Sequence, residues 1–402
     1  MSDFYQTGVV ATFHRLGAIN LEKTESELMK HAEKRPIALV LPSLYSEIEG
    51  YALKKIVKEL QHIQYINEIV VTLGPASEKE FKAAKAFFSV LPQKTQVLWN
   101  TGKRLNRIYR AIKDAELPIG EPGKGRSAWM AYGYILSHQK FHAIALHDCD
   151  IFTYSREMLA RLCYPVVNPN LDYDFCKGFY SRITDKMHGR VTRLLVTPLI
   201  RALIKIIGYH PLLVFFDSFR YPLAGEFSMD IDLARVNRIP GDWGLEIGVL
   251  AEVYRNTSSR RVCQVDIAEN YEHKHQKLSP EDASKGLHKM CVDICKTLFR
   301  TLASEGIVFS EGFFKTLVAT YVRTAQDMLK RYEDDAAING LYFDRHEESL
   351  GVETFTSGIK KAAEIITEDP LGVPLIASWD RVTSAIPDIL NKIKDAVEED
   401  NS

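Results

Sequence analysis

Short β-branched runs alternate with amphipathic helical stretches from residue 37 onward, and this alternation constrains the fold more than any other feature. Each of the runs IALVLPS, EIVVTLG, TQVLWN and HAIAL is followed by a segment whose apolar residues have helical spacing. Such alternation is typical of βαβ units, which build a mostly parallel sheet with helices on both faces. The sequence therefore predicts an α/β protein whose ligands bind at the carboxyl ends of the strands.

The pattern changes near residue 279, where the segment LSPEDASKGLHKMCVDICKTLF begins with a capping-type Ser-Pro-Glu and continues with helical spacing. Helical patterns return at 312–333, 354–367 and 380–398. We therefore expect an N-terminal segment (1–36), a catalytic α/β domain (37–278) and a helical C-terminal region (279–402). The C-terminal region would serve packing or dimerisation, and its tail AVEEDNS is expected to fray.

Composition excludes several classes of function. The 402 residues carry a formal net charge of -1, which argues against bulk nucleic-acid binding and means that an anionic ligand needs a local basic cluster. The six cysteines show no C-x-x-C pair, so we expect reduced thiols in a cytoplasmic protein. No export signal is evident. The apolar stretch 194–216 contains Arg201 and Lys205, which favours a buried or dimer-facing helix up to Ile207, closed by Gly208, over a membrane span.

Two carboxylates, Asp148 and Asp150, directly follow the buried run HAIAL. Strand alternation would send them to opposite faces unless the chain turns there. One could then reach a cation while the other holds a ribose or a metal-bound water, because Mg²⁺ and Mn²⁺ prefer oxygen ligands and often bridge carboxylates to phosphates. An isolated D-x-D could equally cap a turn, but its position after a strand favours the metal site.

Basic residues in two other motifs could join this site. Lys124 lies between two glycines just before a predicted helix, where it could pair with a phosphate or belong to a plain flexible loop. His273 and His275 follow the strand-like RVCQVDIAEN. Lone histidines are more often surface residues, but one imidazole could complete a metal held by Asp150.

Further candidates lie at two predicted helix starts. Gly189, Arg190 and Thr192 would combine backbone N–H groups, a guanidinium fork and a hydroxyl into a phosphate or carboxylate site, or form an ordinary cap. PLAGEF and GDWGLEIGVL add Glu226 and Glu246, of which Glu246 opens an apolar helix and could accept a hydrogen bond from a sugar or acceptor hydroxyl. Either glutamate could equally be a cap carboxylate.

The order of these motifs is more specific than any one of them. LPSLYSEIEG, GKGRSAW, LHDCDI, GRVTRLLVTPLI, PLAGEFSMD, WGLEIGVLAEVY and VDIAENYEHKHQ follow one another as in the glucosyl-3-phosphoglycerate synthases, and over about residues 35 to 300 the sequence resembles that family. The resemblance implies a retaining glycosyltransferase of the GT-A type, with a Rossmann-like α/β fold. It also implies UDP-glucose as donor, 3-phosphoglycerate as acceptor, a divalent metal (Mg²⁺ or Mn²⁺), and a product that is a precursor of the compatible solute glucosylglycerate.

The resemblance also assigns roles to residues. The catalytic residues would be Glu246, Asp150 and Lys124, and the metal ligands Asp150 and His273. The acceptor site would comprise Gly189, Arg190, Thr192 and His275, the last standing where the family more often has asparagine. The donor site would comprise Pro42, Ser43, Leu44, Glu47, Leu73, Lys124, Asp148, Cys149, Asp150, Gly225 and Glu226. The usual Pro-Ala-Leu-Asn-Glu-Glu turn is Pro-Ser-Leu-Tyr-Ser-Glu here, which leaves open whether Ser46 or Glu47 contacts the nucleoside.

Other functions remain open at this point. A mannosyl or GDP-sugar transferase with a similar acceptor is the nearest alternative, because one sequence does not resolve the base and sugar pockets. A sugar nucleotidyltransferase would be expected to carry a Gly-rich, lysine-containing N-terminal turn, which LPSLYSEIEG lacks. A non-catalytic relative would be expected to have lost a metal ligand. We further expect a homodimer without a membrane span.

Overall fold

The computed structural model describes residue 6 and residues 8–273, 278–373 and 375–402. Eight strands in these described residues form one sheet in the order β1-β8-β6-β7-β5-β2-β3-β4. The strands are β1 (Ala11–Phe13), β2 (Ile37–Ser43), β3 (Glu68–Leu73), β4 (Lys94–Trp99), β5 (Ala143–Leu146), β6 (Phe175–Tyr180), β7 (Phe227–Asp230) and β8 (Val262–Ala268).

Most neighbouring strands run parallel, and only β7 runs antiparallel to its neighbours β5 and β6 among the described pairings. The predicted mostly parallel α/β sheet is therefore confirmed. β1 pairs with β8, so the sheet also includes a strand from before the expected domain start at residue 37. The three-region division itself stays a prediction.

Helices cover both faces of the sheet. They are α1 (Leu21–Ala32), α2 (Tyr45–Ile48), α3 (Tyr51–Leu60), α4 (Glu78–Phe88), α5 (Lys103–Asp114), α6 (Lys124–Ser137), α7 (Arg156–Val167), α8 (Thr197–Ile207), α9 (Pro211–Asp217), α10 (Ile231–Val236), α11 (Leu245–Asn256), α12 (Gly286–Ser304), α13 (Glu311–Ile338), α14 (Arg345–Glu368), α15 (Trp379–Ala385) and α16 (Ile389–Asn401). One sequence prediction needs correction, because the helix expected to open at the capping-type Ser279 begins at Gly286. Ser279 has a φ of 51°, which the right-handed helix does not allow.

Strand β2 shows how the two faces divide the core. Ile37, Leu39 and Leu41 pack into one apolar cluster with α1, α3 and α7, whereas Ala38 and Val40 pack into the other with α6 and the C-terminal helices. Successive side chains of a strand point to opposite faces, and a strand covered on both faces needs apolar residues throughout. This explains why the run IALVL is continuous and does not alternate.

The C-terminal helices pack on two parts of the α/β core. Helices α12, α13 and α14 pack together and against the segment that leads into α8, and α16 packs against α5, α6 and β4. The Asn401 side chain accepts a hydrogen bond from Val97 N at 3.0 Å and donates one to Val97 O at 3.0 Å. The prediction of a frayed tail is therefore wrong, because Asn401 hydrogen-bonds to main-chain groups at the edge of β4.

The apolar stretch 194–216 is helical as expected. A π-helical turn (Val191–Val196) continues into α8, and Gly208, at a φ of 85°, ends α8 before α9 begins at Pro211. In the part of the chain that the structure describes, no helix is both long and apolar enough to cross a bilayer.

Candidate active site

Pairing of the strands brings distant motifs to one edge of the sheet. Leu146, the last residue of β5, pairs with Phe227 at the start of the antiparallel β7. The segments that follow β5 and precede β7 must therefore lie side by side. A Cβ placed on Gly225 would come within 2.6 Å of the Asp148 carboxylate, so only glycine allows this approach.

Lys124 is the centre of a charged cluster at this edge. Its Nζ lies 2.6 Å from Asp148 Oδ1 and 3.4 Å from Glu246 Oε1. Lys124 opens α6 and Glu246 lies in the first turn of α11, so two helix starts and one strand end converge. The structure thus brings together three residues that the sequence placed far apart.

Electrostatics fix the charge states of this cluster. Burial alone would lower the pKa of Lys124, but Asp148 and Glu246 outweigh burial and raise it. Burial would likewise raise the pKa of Asp148, and Lys124 instead lowers it. Lys124 therefore stays a cation and Asp148 an anion at neutral pH, which suits a site for an anionic leaving group.

Asp150, two residues after Asp148, faces a different partner. Its Oδ2 lies 3.5 Å from Nδ1 of His273, which follows β8. Strands β5 and β6 both run antiparallel to β7, and β8 runs parallel to β6, so β5 and β8 point in the same direction. Their carboxyl ends therefore lie at the same edge of the sheet. The predicted pair of a carboxylate and an imidazole is therefore present.

Residues of the predicted donor turn lie at the end of β2 and directly after it. Glu47 accepts a hydrogen bond from Leu44 N at 2.9 Å, and burial together with Asp150 and Asp148 raises its pKa to about 7. Ser43 is buried, its hydroxyl donating to Leu44 O, and half-exposed Leu44 contacts Gly74. Pro42 is partly buried within β2.

Two predicted donor contacts have buried side chains. Leu73 belongs to the apolar core, so only its main chain could meet a ligand, and its carbonyl already accepts from Asn100. Cys149 is 2% exposed, and burial raises the pKa of its thiol well above the usual value. Neither side chain faces open space, so their donor contacts stay predictions.

Glu226 is also buried, at 1% exposure, and its partners were missed in the sequence. Its two oxygens accept from Tyr180 at 2.8 Å and Tyr271 at 2.5 Å, and these two rings stack 3.7 Å apart. Burial and the nearby Asp148 raise the pKa of Glu226. This geometry favours Glu226 as a support for the strand-end loops.

Lys177 was likewise missed. It lies in the middle of β6, is 1% exposed, and donates to Ala224 O at 2.7 Å. Burial lowers its pKa to about 8, although Glu246 and Glu226 oppose the shift. A lysine inside the apolar run FCKGFY was the available signal, because a charge in a buried strand needs a partner.

Of the predicted acceptor residues, Gly189 and Arg190 line the same cavity as Lys124. Gly189 has a φ of 76°, and Arg190 is the residue from which the π-helical turn begins. Thr192 is 5% exposed, with a hydroxyl that has no hydrogen-bond partner in the described part of the chain. His275 lies outside the described residues.

Arg190 has partners that sequence reasoning did not find. Its Nη2 lies 2.7 Å from Glu347 Oε2, and its Nε lies 2.7 Å from Glu348 Oε1. Both glutamates belong to α14 in the C-terminal region. Burial would lower the pKa of Arg190, but hydrogen bonds to Glu348 and Glu347 raise it.

A cavity of about 340 Å³ is lined by both the Lys124 cluster and Arg190. Its lining combines two groups of charged side chains: Lys124, Asp148, Glu246 and His273, and the basic Arg182, Lys186, His188 and Arg190. The second group supplies the local basic cluster that an anionic ligand would need in a chain of near-zero net charge. Of it, only Arg190 was singled out from the sequence.

Relatives of known name align with this chain over nearly its full length. Glucosyl-3-phosphoglycerate synthase from Persephonella marina is 51% identical over 402 residues, covering 100% of both chains. The chain belongs to the glucosyl-3-phosphoglycerate synthase family. A second synthase of that name, from Methanococcoides burtonii, is 39% identical over 399 residues, covering 98% of this chain and 97% of its own. No protein-family model matches the chain.

Solved structures agree on the fold. Glucosyl-3-phosphoglycerate synthase from Mycobacterium tuberculosis, crystallised with Mn²⁺, UDP-glucose and phosphoglyceric acid, superposes with a TM-score of 0.53 at 20% identity, covering 75% of this chain and 89% of that one. Mannosyl-3-phosphoglycerate synthase from Rubrobacter xylanophilus gives a TM-score of 0.55 at 20% identity, covering 75% and 83%. The GT-A type fold expected for this synthase family is therefore confirmed.

Proposed function

We propose that this protein transfers glucose from UDP-glucose to 3-phosphoglycerate, forming glucosyl-3-phosphoglycerate and UDP with retention of the anomeric configuration. The name of the full-length relatives supports this proposal. The observation that carries it is the meeting of Lys124, Asp148, Asp150 and His273 at one sheet edge, beside a cavity that Arg190 also lines. The Lys124 cluster suits a diphosphate, and Arg190 suits an anionic acceptor.

The side chains at this edge fit a divalent metal, Mg²⁺ or Mn²⁺. Asp150 and His273 offer an oxygen and a nitrogen 3.5 Å apart, and no set of three or more acidic, histidine or cysteine side chains in the described residues could hold an ion alone. Ions of this kind commonly take their remaining ligands from substrate phosphates and water. When bound, the ion would neutralise the diphosphate as it leaves.

In the transfer step, the acceptor hydroxyl oxygen forms a bond to the anomeric carbon, and the bond from that carbon to the diphosphate oxygen breaks. Attack and departure take place on one face of the sugar. The acceptor hydroxyl therefore lies beside the departing diphosphate, which takes its proton. Lys124 would stabilise the charge that develops on the diphosphate, and Arg190 would orient the acceptor by its phosphate. Glu246, beside Lys124, would accept a hydrogen bond from the sugar or the acceptor.

A substrate panel tests this proposal. We expect the highest turnover with UDP-glucose and 3-phosphoglycerate when UDP- and GDP-sugars are combined with 3-phosphoglycerate, glycerate and phosphate-free acceptors in Mg²⁺. The likeness to a mannosyl-3-phosphoglycerate synthase makes GDP-mannose the second candidate donor. A preference for GDP-mannose would overturn the choice of donor, and release of pyrophosphate from a sugar phosphate and a nucleoside triphosphate would overturn the reaction class.

Two further expectations stay predictions. A homodimer would elute at twice the 45.7 kDa chain mass, which size-exclusion chromatography with light scattering measures. A cytoplasmic location would be seen by fractionating the source cells.

A further inference from the structure

The guanidinium of Arg190 is held on two edges by consecutive glutamates of α14. Glu347 Oε2 lies 2.7 Å from Nη2, and Glu348 Oε1 lies 2.7 Å from Nε. The Arg190 side chain is 24% exposed, on the wall of the cavity between the Lys124 cluster and the loop that contains Gly189. The acceptor's phosphate therefore meets an arginine that already has carboxylate partners.

These two glutamates are in different environments. The Glu348 side chain is 6% exposed, and its second oxygen lies 3.0 Å from Nη1 of Arg193, so both oxygens face guanidinium groups. The Glu347 side chain is 55% exposed, and Glu347 lines the same cavity as Arg190. One carboxylate is built into the protein, and the other is in contact with solvent where a ligand would enter.

This difference in exposure decides which contact can be exchanged. An ion pair in contact with water contributes little, because water and salt screen it, so a phosphate dianion can replace Glu347 at Arg190. A buried carboxylate shared by two guanidinium groups is costly to remove, because it leaves buried charges without a partner. Exchange is therefore expected at Glu347 and not at Glu348.

We propose that Glu347 competes with the acceptor's phosphate for Arg190, and that Glu348 is a positioning residue that holds Arg190 for that phosphate. This inference rests on the proposed function, since it takes Arg190 as the phosphate site of the acceptor. It makes the helical C-terminal region part of acceptor selection. Only an acceptor group of sufficient charge displaces Glu347, whereas an acceptor without a phosphate leaves the Glu347–Arg190 pair intact.

The substitution Glu347→Gln removes the competing charge and keeps the shape of the side chain. We expect the acceptor's Kd, measured by titrating 3-phosphoglycerate in a calorimeter with UDP and Mn²⁺ present, to fall about two- to fivefold, the worth of an exposed ion pair. The KM of UDP-glucose and the rate measured with glycerate as acceptor should not change. The matched control is Glu353→Gln, which removes one exposed negative charge from the same helix and should leave all three values as they are.

The substitution Glu348→Gln should act in the opposite direction. We expect the acceptor's Kd and KM to rise at least about tenfold, because Arg190 loses its fixed orientation, with a KM of UDP-glucose within about twofold of the original. Glu348→Asp, which keeps the charge, should recover part of the loss. If Glu348→Gln does not fold, Glu347→Gln still tests whether Glu347 competes with the phosphate. That variant is expected to fold, because the Glu347 side chain is more than half exposed.

The outcomes separate this inference from the proposed function. An unchanged or weaker affinity of Glu347→Gln for the acceptor would overturn the competition, and equal effects of Glu348→Gln on donor and acceptor would overturn the positioning role. Binding of 3-phosphoglycerate that responds as expected, without any glucosyl transfer, would instead contradict the proposed function alone.

Discussion

The strand-end edge of the sheet and the helical C-terminal region contrast in what holds them together. At the edge, charged groups face one another: Lys124 with Asp148 and Glu246, and Asp150 with His273. In the C-terminal region one large contact with the α/β core is apolar and aromatic, with Trp379 stacked on Trp129 of α6 at 4.2 Å.

This contrast teaches where stability and chemistry reside. Charged groups that face one another in a partly open site can bind ligands, but they contribute little to the stability of the fold. A buried aromatic stack removes a large apolar area from water. The two regions nevertheless meet, because α6, on which Trp379 packs, begins at Lys124.

The largest effect should come from Trp379→Ala. Trp379 is 1% exposed, and its indole N–H donates to Trp129 O at 3.0 Å, so its loss leaves a cavity and removes a hydrogen bond. We expect the free energy of unfolding, measured with urea, to fall by about 3–5 kcal/mol.

Two controls sharpen this prediction. Trp379→Phe keeps an aromatic ring and should lower the free energy of unfolding by less than Trp379→Ala. Leu371→Ala, in the same region at 88% exposure, should change it by less than about 0.5 kcal/mol. An unchanged urea midpoint for Trp379→Ala would mean that the C-terminal region does not stabilise the α/β core.

The sequence predicted the strand-end edge well because the argument needed only local patterns. A buried run that ends in Asp148, in a chain of βαβ units, places that residue at the carboxyl edge of the sheet. Lys124 was predicted by its flanking glycines and its position at a helix start. An imidazole of His273 or His275 was already a candidate partner of Asp150, but the choice of His273 came from the resemblance, since no spacing rule links residues that follow β5 and β8.

The C-terminal contacts could not be predicted in the same way. The ion pairs between Arg190 and Glu347 or Glu348 join residues 157 and 158 positions apart, and helical spacing shows which face is apolar but not what it packs against. Asn401 was expected in a frayed tail because a polar chain end usually lacks partners. Its partner is the main chain of an edge strand, which no side-chain pattern reveals.

Asp150→Ala should produce the reverse of the Trp379 result. Asp150 is proposed to hold a metal that offsets the charge on the leaving diphosphate, so we expect kcat to fall by at least about 100-fold, or about 2.7 kcal/mol, while the urea midpoint stays within error.

His273→Ala is the companion variant and should show a similar loss of activity, with added Mn²⁺ restoring little. Full activity of Asp150→Ala after exhaustive chelation would remove Asp150 and the metal from the proposed mechanism.

The smallest effect, from Asn401→Ala, tests whether a C-terminal residue can act on stability without reaching the active site. Its two hydrogen bonds to Val97 close the edge of β4, on the side of the sheet away from Asp148. Each hydrogen bond contributes about 0.5–1.5 kcal/mol, so we expect a loss of about 1–3 kcal/mol in unfolding free energy and unchanged kcat and KM. Ser402→Ala is the matched control, because the exposed Ser402 hydroxyl bonds only within the end of α16 among the described residues.

An uncovered edge strand can also pair with another chain, so light scattering at raised concentration should show association of Asn401→Ala before Ser402→Ala. A change in the KM of either substrate would contradict the expectation of unchanged kinetics, because it would mean that a change at the end of α16 reaches Lys124 through α6, against which α16 packs.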